Sequence, residues 1–103
     1  MNKETVLQNK IRVGLSDIAV TFRINVGTFK VGDRYISTGV PAGFSDIFGY
    51  RRKDGKAFFI EVKTETGRAT ERQERFIKKM IQNGALAGIA RSVEEARRIV
   101  NGS

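Results

Sequence analysis

Hydrophobic residues recur at helical spacing in three segments of the chain and alternate with polar residues in several others. The helical spacing predicts helices over 3–13, 71–82 and 93–100. The alternating or short apolar runs predict strands over 18–25, 35–40, 45–51, 57–64 and 86–90, with a glycine-containing loop over 27–33. The order α-β-β-β-β-α-β-α predicts an α/β fold with a mixed central sheet flanked by helices.

The clearest predicted element is a hairpin with an Asp-Gly turn at 54–55. If these two residues form the turn, Asp46 lies opposite Lys63 and Phe48 lies opposite Glu61. Cross-strand partners share a face of the sheet, and so do residues two apart along one strand. Asp46, Glu61 and Lys63 are therefore expected on one face. The inference depends on the turn, because a three-residue turn shifts the register by one and separates them.

Two of these charged residues end the apolar run 57–63, which is typical of a central, buried strand. Ionised groups are costly there unless they are paired or bind a metal. One interpretation is a structural ladder of ion pairs among Asp46, Glu61 and Lys63. The other is metal-assisted phosphodiester hydrolysis, in which the carboxylates hold a divalent ion and the lysine orients water or stabilises charge.

Two further polar residues lie on the apolar faces of predicted helices. Gln73 precedes the first apolar residues of its helix by three and four positions, so it is expected to point at the sheet. Alternatively, Thr70-x-x-Gln73 is a capping box that serves the start of the helix. Glu4 shares a face with Leu7 and Ile11, and its alternative role is that of an acid favoured in the first helical turn.

Composition narrows the possible chemistry further. The 103 residues predict a single domain over 1–103, and no apolar run approaches the roughly 18 residues that a membrane span requires. The chain has no cysteine and no histidine, which excludes thiol and imidazole catalysis and leaves hard cations held by oxygen ligands. A net charge of +8, concentrated in the second half, favours polyanionic partners such as nucleic acid.

Several short motifs resemble one nuclease superfamily. The run PAGFSD at 41–46, followed by EVK at 61–63, resembles the PD-(D/E)xK nuclease signature. More specifically, the chain resembles the VRR-NUC branch in RINVG at 23–27, KT at 63–64, GR at 67–68, and the single residues Glu4 and Gln73. The chain is similar to minimal, stand-alone, phage-type members of that branch.

The resemblance implies a restriction-endonuclease-like αβββαβ core and a magnesium or manganese cofactor. In that family pattern Lys63 is the catalytic lysine and Gln73 lies at the edge of the active site. The implied metal ligands are the carboxylates of Asp46 and Glu61, the carbonyl of Val62, and Glu4 for a second metal.

The function implied is a structure-selective DNA endonuclease acting on four-way (Holliday) junctions or other branched DNA. Resolution of such a junction needs two symmetric cuts, which imply a homodimer with two-fold symmetry. We expect no membrane partner and no nucleotide cofactor, and a location in the cytoplasm, that of the host if the protein is viral. The expected DNA contacts are Arg51, Arg52, Lys53 and Lys56 near the hairpin tip, and Arg68, Arg72, Arg75, Lys78 and Lys79 on the following loop and helix.

Other functions remain open from the sequence. One alternative is a nuclease without structure specificity, a nickase or an exonuclease. A second is a nucleic-acid-binding module that keeps the fold without catalysis, which predicts salt-sensitive binding and no cleavage. A third is an assembly or regulatory protein whose positive charge is incidental.

Overall fold

The architecture was obtained as a computed structural model, which describes residues 2–37 and 39–102. Its helices are α1 (Lys3–Leu15), α2 (Glu71–Gln82) and α3 (Val93–Asn101). Its strands are β1 (Ala19–Arg23), β2 (Thr28–Val31), β3 (Arg34–Ser37), β4 (Ile47–Arg51), β5 (Ala57–Val62) and β6 (Leu86–Ala90). Of the helices in these two stretches, none has the length and apolar character needed to cross a membrane.

Each helix begins where a polar side chain caps it. The side chains of Asn2, Thr70 and Ser92 each accept a hydrogen bond from the backbone N–H three residues later. These bonds satisfy N–H groups that would otherwise lack an intrahelical partner. The α3 helix ends at Gly102, whose φ of 80° is a left-handed conformation that glycine adopts without strain. The three predicted helices are confirmed.

The central sheet has the strand order β1-β4-β5-β6. The β4 strand pairs antiparallel with β1 and β5, whereas β5 and β6 are parallel, so the predicted mixed sheet is confirmed. The side chains of Phe58, Ile60 and Val62 in β5 are fully buried, together with residues of α1 and α3. The core therefore fills one face of the sheet, and α2 packs on the opposite face, against β5 and β6.

The predicted loop over 27–33 is wrong in part. Residues 28–31 form β2, which pairs with β3 in a separate two-stranded sheet, called the ribbon below. Its turn is Gly32-Asp33, with Gly32 at a φ of 62°. Every residue of the ribbon's two strands is exposed, so the ribbon lacks the burial that fixes strands in a core. The predicted strand 35–40 ends at Ser37, and its residue Thr38 lies outside the described residues.

The predicted pairings of the β4–β5 hairpin are also wrong. The structure pairs Phe48 with Phe59, rather than with Glu61. Extending this register by one residue places Asp46 opposite Glu61, rather than opposite Lys63.

The cause is a four-residue connection, 52–55, in place of the two-residue turn. Arg51 N–H donates to the Lys56 carbonyl at 3.0 Å, and Gly55 N–H donates to the Arg51 carbonyl at 2.8 Å. The Asp54 carboxylate accepts from the Lys56 N–H at 3.0 Å and from the Arg51 guanidinium, so its side chain organises the wider loop. The register changes by two positions, an even number, and the expected common face of Asp46, Glu61 and Lys63 is retained.

Candidate active site

Three carboxylates from separate elements converge at one end of the sheet. Glu4 lies in the first turn of α1, Asp46 directly precedes β4, and Glu61 lies near the end of β5. One oxygen from each lies within 4.8 Å of the others. We call these three residues the acid cluster. The structure thus brings together the candidate metal-binding acids that lie 57 positions apart in the chain.

The backbone and side chain of Asp46 are both held in place. Its carbonyl accepts from the Ile24 N–H at 2.8 Å, and its Oδ2 accepts from the Val62 N–H at 2.9 Å. The carboxylate therefore accepts the hydrogen bond that a backbone carbonyl of β4 would accept if the β4–β5 pairing continued past Ile47 and Ile60. Because the N–H and C=O of one strand residue point to the same side, the Val62 carbonyl faces the same edge as its N–H. Asp46 and the Val62 carbonyl are two oxygen donors on one edge.

Glu61 is the most strongly perturbed acid of the cluster. Its residue surface is 1% exposed, and this burial, together with the neighbouring Asp46 carboxyl, raises the pKa of Glu61 to about 9. Lys63 and Glu4 act on the same carboxyl in opposite directions, Lys63 lowering its pKa and Glu4 raising it. Glu61 Oε2 is buried and, among the described residues, accepts no hydrogen bond.

This unsatisfied oxygen fits a bound cation. An ionised carboxylate oxygen without a donor is costly here, so the metal-free carboxyl keeps its proton to high pH, and a divalent ion would take the place of that proton. The available donors are all oxygens, which suits magnesium or manganese better than zinc or copper.

Lys63 approaches the cluster from the strand that carries Glu61. Its Nζ lies 3.8 Å from Glu61 Oε1, and its side chain is 14% exposed. This contact is the ion pair that a structural interpretation requires. One ammonium group faces three carboxylates, however, and it contacts the oxygen of Glu61 that already has a hydrogen-bond donor. The ion pair alone leaves Oε2 unsatisfied.

Gln73 plays both roles that the sequence suggested. Its Oε1 accepts from the Thr70 N–H at 2.8 Å, and its own N–H donates to Thr70 Oγ1 at 3.2 Å, which completes a capping box. Its Nε2 donates to Glu61 Oε1 at 3.1 Å. The cap fixes the orientation of the amide, so that the NH₂ group faces the acid cluster.

The cations near the hairpin tip lie far from the acid cluster. Lys56 and Glu61 are five residue steps apart, roughly 17 Å along the strand. The Arg51 guanidinium donates to the Asp54 carboxylate and, at 3.1 Å, to the Val100 carbonyl. Arg52 Nε donates to the Ser16 carbonyl at 3.2 Å. The structure therefore assigns Arg51 and Arg52 to contacts that hold the fold together at the opposite end of the sheet.

Three cations of α2 lie instead beside the loop 41–45, which leads to Asp46. A groove of about 360 Å³, called the α2 groove below, is lined by Pro41, Ala42, Arg72, Arg75, Phe76 and Lys79. The loop packs closely on the helix, since a Cβ atom added to Gly43 would lie 2.8 Å from the Arg72 carbonyl oxygen. Arg68 and Lys78 are exposed on the same part of the chain and do not line this groove.

Two residues near the site were missed by sequence reasoning. Gln8 follows Glu4 by one helical turn and is 6% exposed, and its Oε1 has no partner within the described chain. Its place on the same helical stripe as Glu4 and Ile11 was an available signal. Arg91 contacts the loop that follows Lys63. A single arginine after an apolar strand carries no pattern that predicts such a contact.

The chain shows similarity to known proteins in two comparisons. The family model of the VRR-NUC domain matches residues 31–94. A solved structure described as a VRR_NUC domain superposes with a TM-score of 0.68 and 17% sequence identity, covering 98% of this chain and 97% of that chain. At this identity the structural match shows a shared fold. No curated protein matches the sequence significantly.

Proposed function

Since the chain belongs to the VRR-NUC domain family, a nuclease family of the PD-(D/E)xK superfamily, we propose that it is a metal-dependent DNA endonuclease that acts on branched DNA. The observation that carries the proposal is the acid cluster, in which the buried Oε2 of Glu61 has no donor among the described residues. A cation held there would satisfy this oxygen and be placed for phosphodiester chemistry.

The residues of the site have distinct tasks in this proposal. Asp46, Glu61 and the Val62 carbonyl would hold Mg²⁺ or Mn²⁺, with Glu4 completing the set of oxygen donors. When bound, the ion supplies polarisation of the phosphate and a lowered pKa for attacking water. Lys63 is close enough to the cluster to orient water or to stabilise negative charge developing on the phosphate. Gln73 holds Glu61 in position through Oε1.

DNA is the proposed substrate because cations lie beside the loop that leads into the acid cluster. Arg72, Arg75 and Lys79 line the α2 groove beside the loop that leads to Asp46. Phosphate contacts from such residues supply most of the sequence-independent affinity for nucleic acid. The net charge of +8 supports the same partner.

Branched DNA with two symmetric cuts requires a homodimer, and the ribbon offers a surface for one. Phe29, Val31 and Ile36 lie on one face of the ribbon and are 52%, 53% and 43% exposed. Phe22 and Tyr50 are also exposed, on the part of the α2 side of the sheet that the helix does not cover. A stable interface buries about 800 Å² per partner, mostly apolar at its centre. We propose that these apolar residues meet a second copy.

The nuclease proposal is tested by cleavage of labelled DNA. The substrates are a four-way junction, a flap, a single strand and a duplex, each with Mg²⁺, Mn²⁺ or EDTA. We expect metal-dependent cutting of the junction by the wild type, none by Lys63→Ala, and unchanged cutting by Lys10→Ala, which alters an exposed lysine of α1. Binding without cutting would support the non-catalytic module, and equal cutting of all four substrates would retain the enzyme but reject the junction.

The dimer is tested by sedimentation of the wild type, Phe29→Ser and Tyr35→Ser. Tyr35 lies on the opposite face of the ribbon and is the matched control. We expect a wild-type dimer that Phe29→Ser weakens and Tyr35→Ser does not. A monomer with and without junction DNA would contradict the dimer.

A further inference from the structure

The chain segment that follows Lys63 forms a tight turn over residues 64–67. The Gly67 N–H donates to the Thr64 carbonyl at 3.2 Å. This turn lies against the lysine side chain, because a Cβ atom added to Gly67 would be 3.4 Å from Lys63 Cδ. A methyl group at Gly67 would thus touch the stem of the proposed catalytic lysine, so the turn closely borders that stem.

Arg91 holds this turn from the neighbouring strand end. Its Nη1 donates to the carbonyls of Thr64 and Gly67, the latter at 2.7 Å, and lies 3.5 Å from the Glu65 carbonyl. Three carbonyl oxygens that converge on one point repel one another, and a cationic donor offsets this repulsion. The turn therefore depends on the guanidinium for its shape.

The backbone of Arg91 is itself fixed. Its N–H donates to Glu95 Oε1 at 2.7 Å, and the Glu95 N–H donates to Ser92 Oγ at 3.1 Å, so the start of α3 anchors it. On the other side, the Lys63 N–H donates to the Ala90 carbonyl at 3.1 Å. Lys63 and Arg91 thus follow the ends of two paired parallel strands, and the turn closes the gap between them.

We propose that Arg91 is a positioning residue for Lys63, an inference that rests on the proposed nuclease function. It acts through the turn, by keeping the backbone of Gly67 against the lysine stem and so keeping the ammonium group beside Glu61. Within the described chain, its side-chain contacts are with these carbonyls and not with the acid cluster. A competing role is a direct phosphate contact, since Arg91 also lines a pocket of about 320 Å³ with Lys3, Thr64 and Thr66.

The test compares Arg91→Met, Arg91→Lys and Arg98→Met. Arg98 is an exposed arginine of α3 and serves as the matched control. Amide hydrogen exchange is followed in the peptide that covers 64–68, together with the ¹³Cε resonance of Lys63. Single-turnover cleavage and DNA binding in Ca²⁺ are measured on the same variants.

We expect Arg91→Met to accelerate exchange at 64–68 at least about tenfold, to shift the Lys63 resonance, and to lower the cleavage rate about 10- to 100-fold with unchanged DNA affinity. Arg91→Lys should restore part of the rate, and Arg98→Met should match the wild type. The proposal would be overturned in favour of a phosphate contact if Arg91→Met kept the cleavage rate but bound DNA more weakly, with a salt slope reduced by one phosphate contact.

Exchange and resonance keep this test separate from the nuclease test. If the wild type cleaves nothing, the nuclease proposal fails. The positioning role of Arg91 is then still tested by hydrogen exchange at 64–68 and by the Lys63 resonance. Unchanged exchange at 64–68 and an unchanged Lys63 resonance in Arg91→Met would overturn the positioning role of Arg91, whether or not the protein cleaves DNA.

Discussion

Replacement of the titratable carboxyl of Glu61 by an amide, in Glu61→Gln, should change how the stability of the metal-free protein depends on pH. In the folded protein the pKa of Glu61 is raised to about 9 from an ordinary value of 4.5, because the carboxyl is buried beside Asp46. Between these two values the folded state holds a proton that the unfolded state has lost. The contribution of this proton to stability is therefore fully present below pH 4.5 and is lost as the pH rises towards 9.

The size of the effect follows from one proton. Each pH unit within this window costs at most about 1.4 kcal/mol, so the free energy of unfolding should fall by about 2.7 kcal/mol between pH 5.5 and 7.5. The chain has no histidine or cysteine to titrate in this range. The lowered pKa values of Asp17 and Asp54 affect stability only at more acidic pH, as the pH falls below 3.8. The window is therefore nearly free of other contributions.

The assay is urea unfolding in EDTA at pH 5.5, 6.5 and 7.5. We expect a falling free energy for the wild type and a flat one for Glu61→Gln, with Glu94→Gln, an exposed glutamate, following the wild type. At pH 7.5, Mg²⁺ at 100 times its dissociation constant should add about 2.7 kcal/mol to the wild type and much less to Glu61→Gln. Equal pH slopes in the wild type and Glu61→Gln would refute the burial argument.

Three further predictions concern the same site. Gln73→Glu keeps a side chain that can complete the capping box but replaces the donor to Glu61 with an acceptor; the circular-dichroism spectrum should keep its helical content, whereas the melting temperature and the calorimetric Mg²⁺ affinity should both fall because the buried Oε1 loses its donor. Mg²⁺ binding at pH 7.5 should release close to one proton, measured as a dependence of the binding enthalpy on buffer ionisation, and no such dependence would show that Glu61 is already ionised. Replacing the three cations of the α2 groove with glutamine should reduce the salt slope of DNA binding by up to about 2.7, while Lys53→Gln changes it little; the reverse order would place DNA at the hairpin tip.

The common face of Asp46, Glu61 and Lys63 could be predicted from the sequence because the alternation of strand side chains survives an even register shift. The register itself could not be predicted, since the wide loop depends on the Asp54 side chain, which bonds both Lys56 N–H and Arg51. The local sequence indicates that the chain turns at Asp-Gly, but it does not indicate which loop length the Asp54 side chain will favour.

The ribbon was missed for a different reason. Its strands alternate and flank Gly-Asp, which is a hairpin signal, but neither strand is buried, so nothing in the core specifies them. Gln73 posed the opposite problem. The sequence offered two roles as alternatives, whereas an amide has an acceptor and a donor and can fill both.

The arrangement of hydrogen bonds around Glu61 argues against a purely structural role. Oε1 contacts both Gln73 and Lys63, while Oε2 is buried and unpaired among residues 2–37 and 39–102. A structural ion pair gains nothing from an orphaned oxygen, and an apolar side chain would serve stability as well or better. Two donors confined to Oε1 fix the carboxylate's orientation and leave Oε2 available to a cation held by the acid cluster. The stability lost by burying this acid is thus recovered when a metal binds, so a variant of the cluster that raises the metal-free stability at neutral pH should lower the metal affinity.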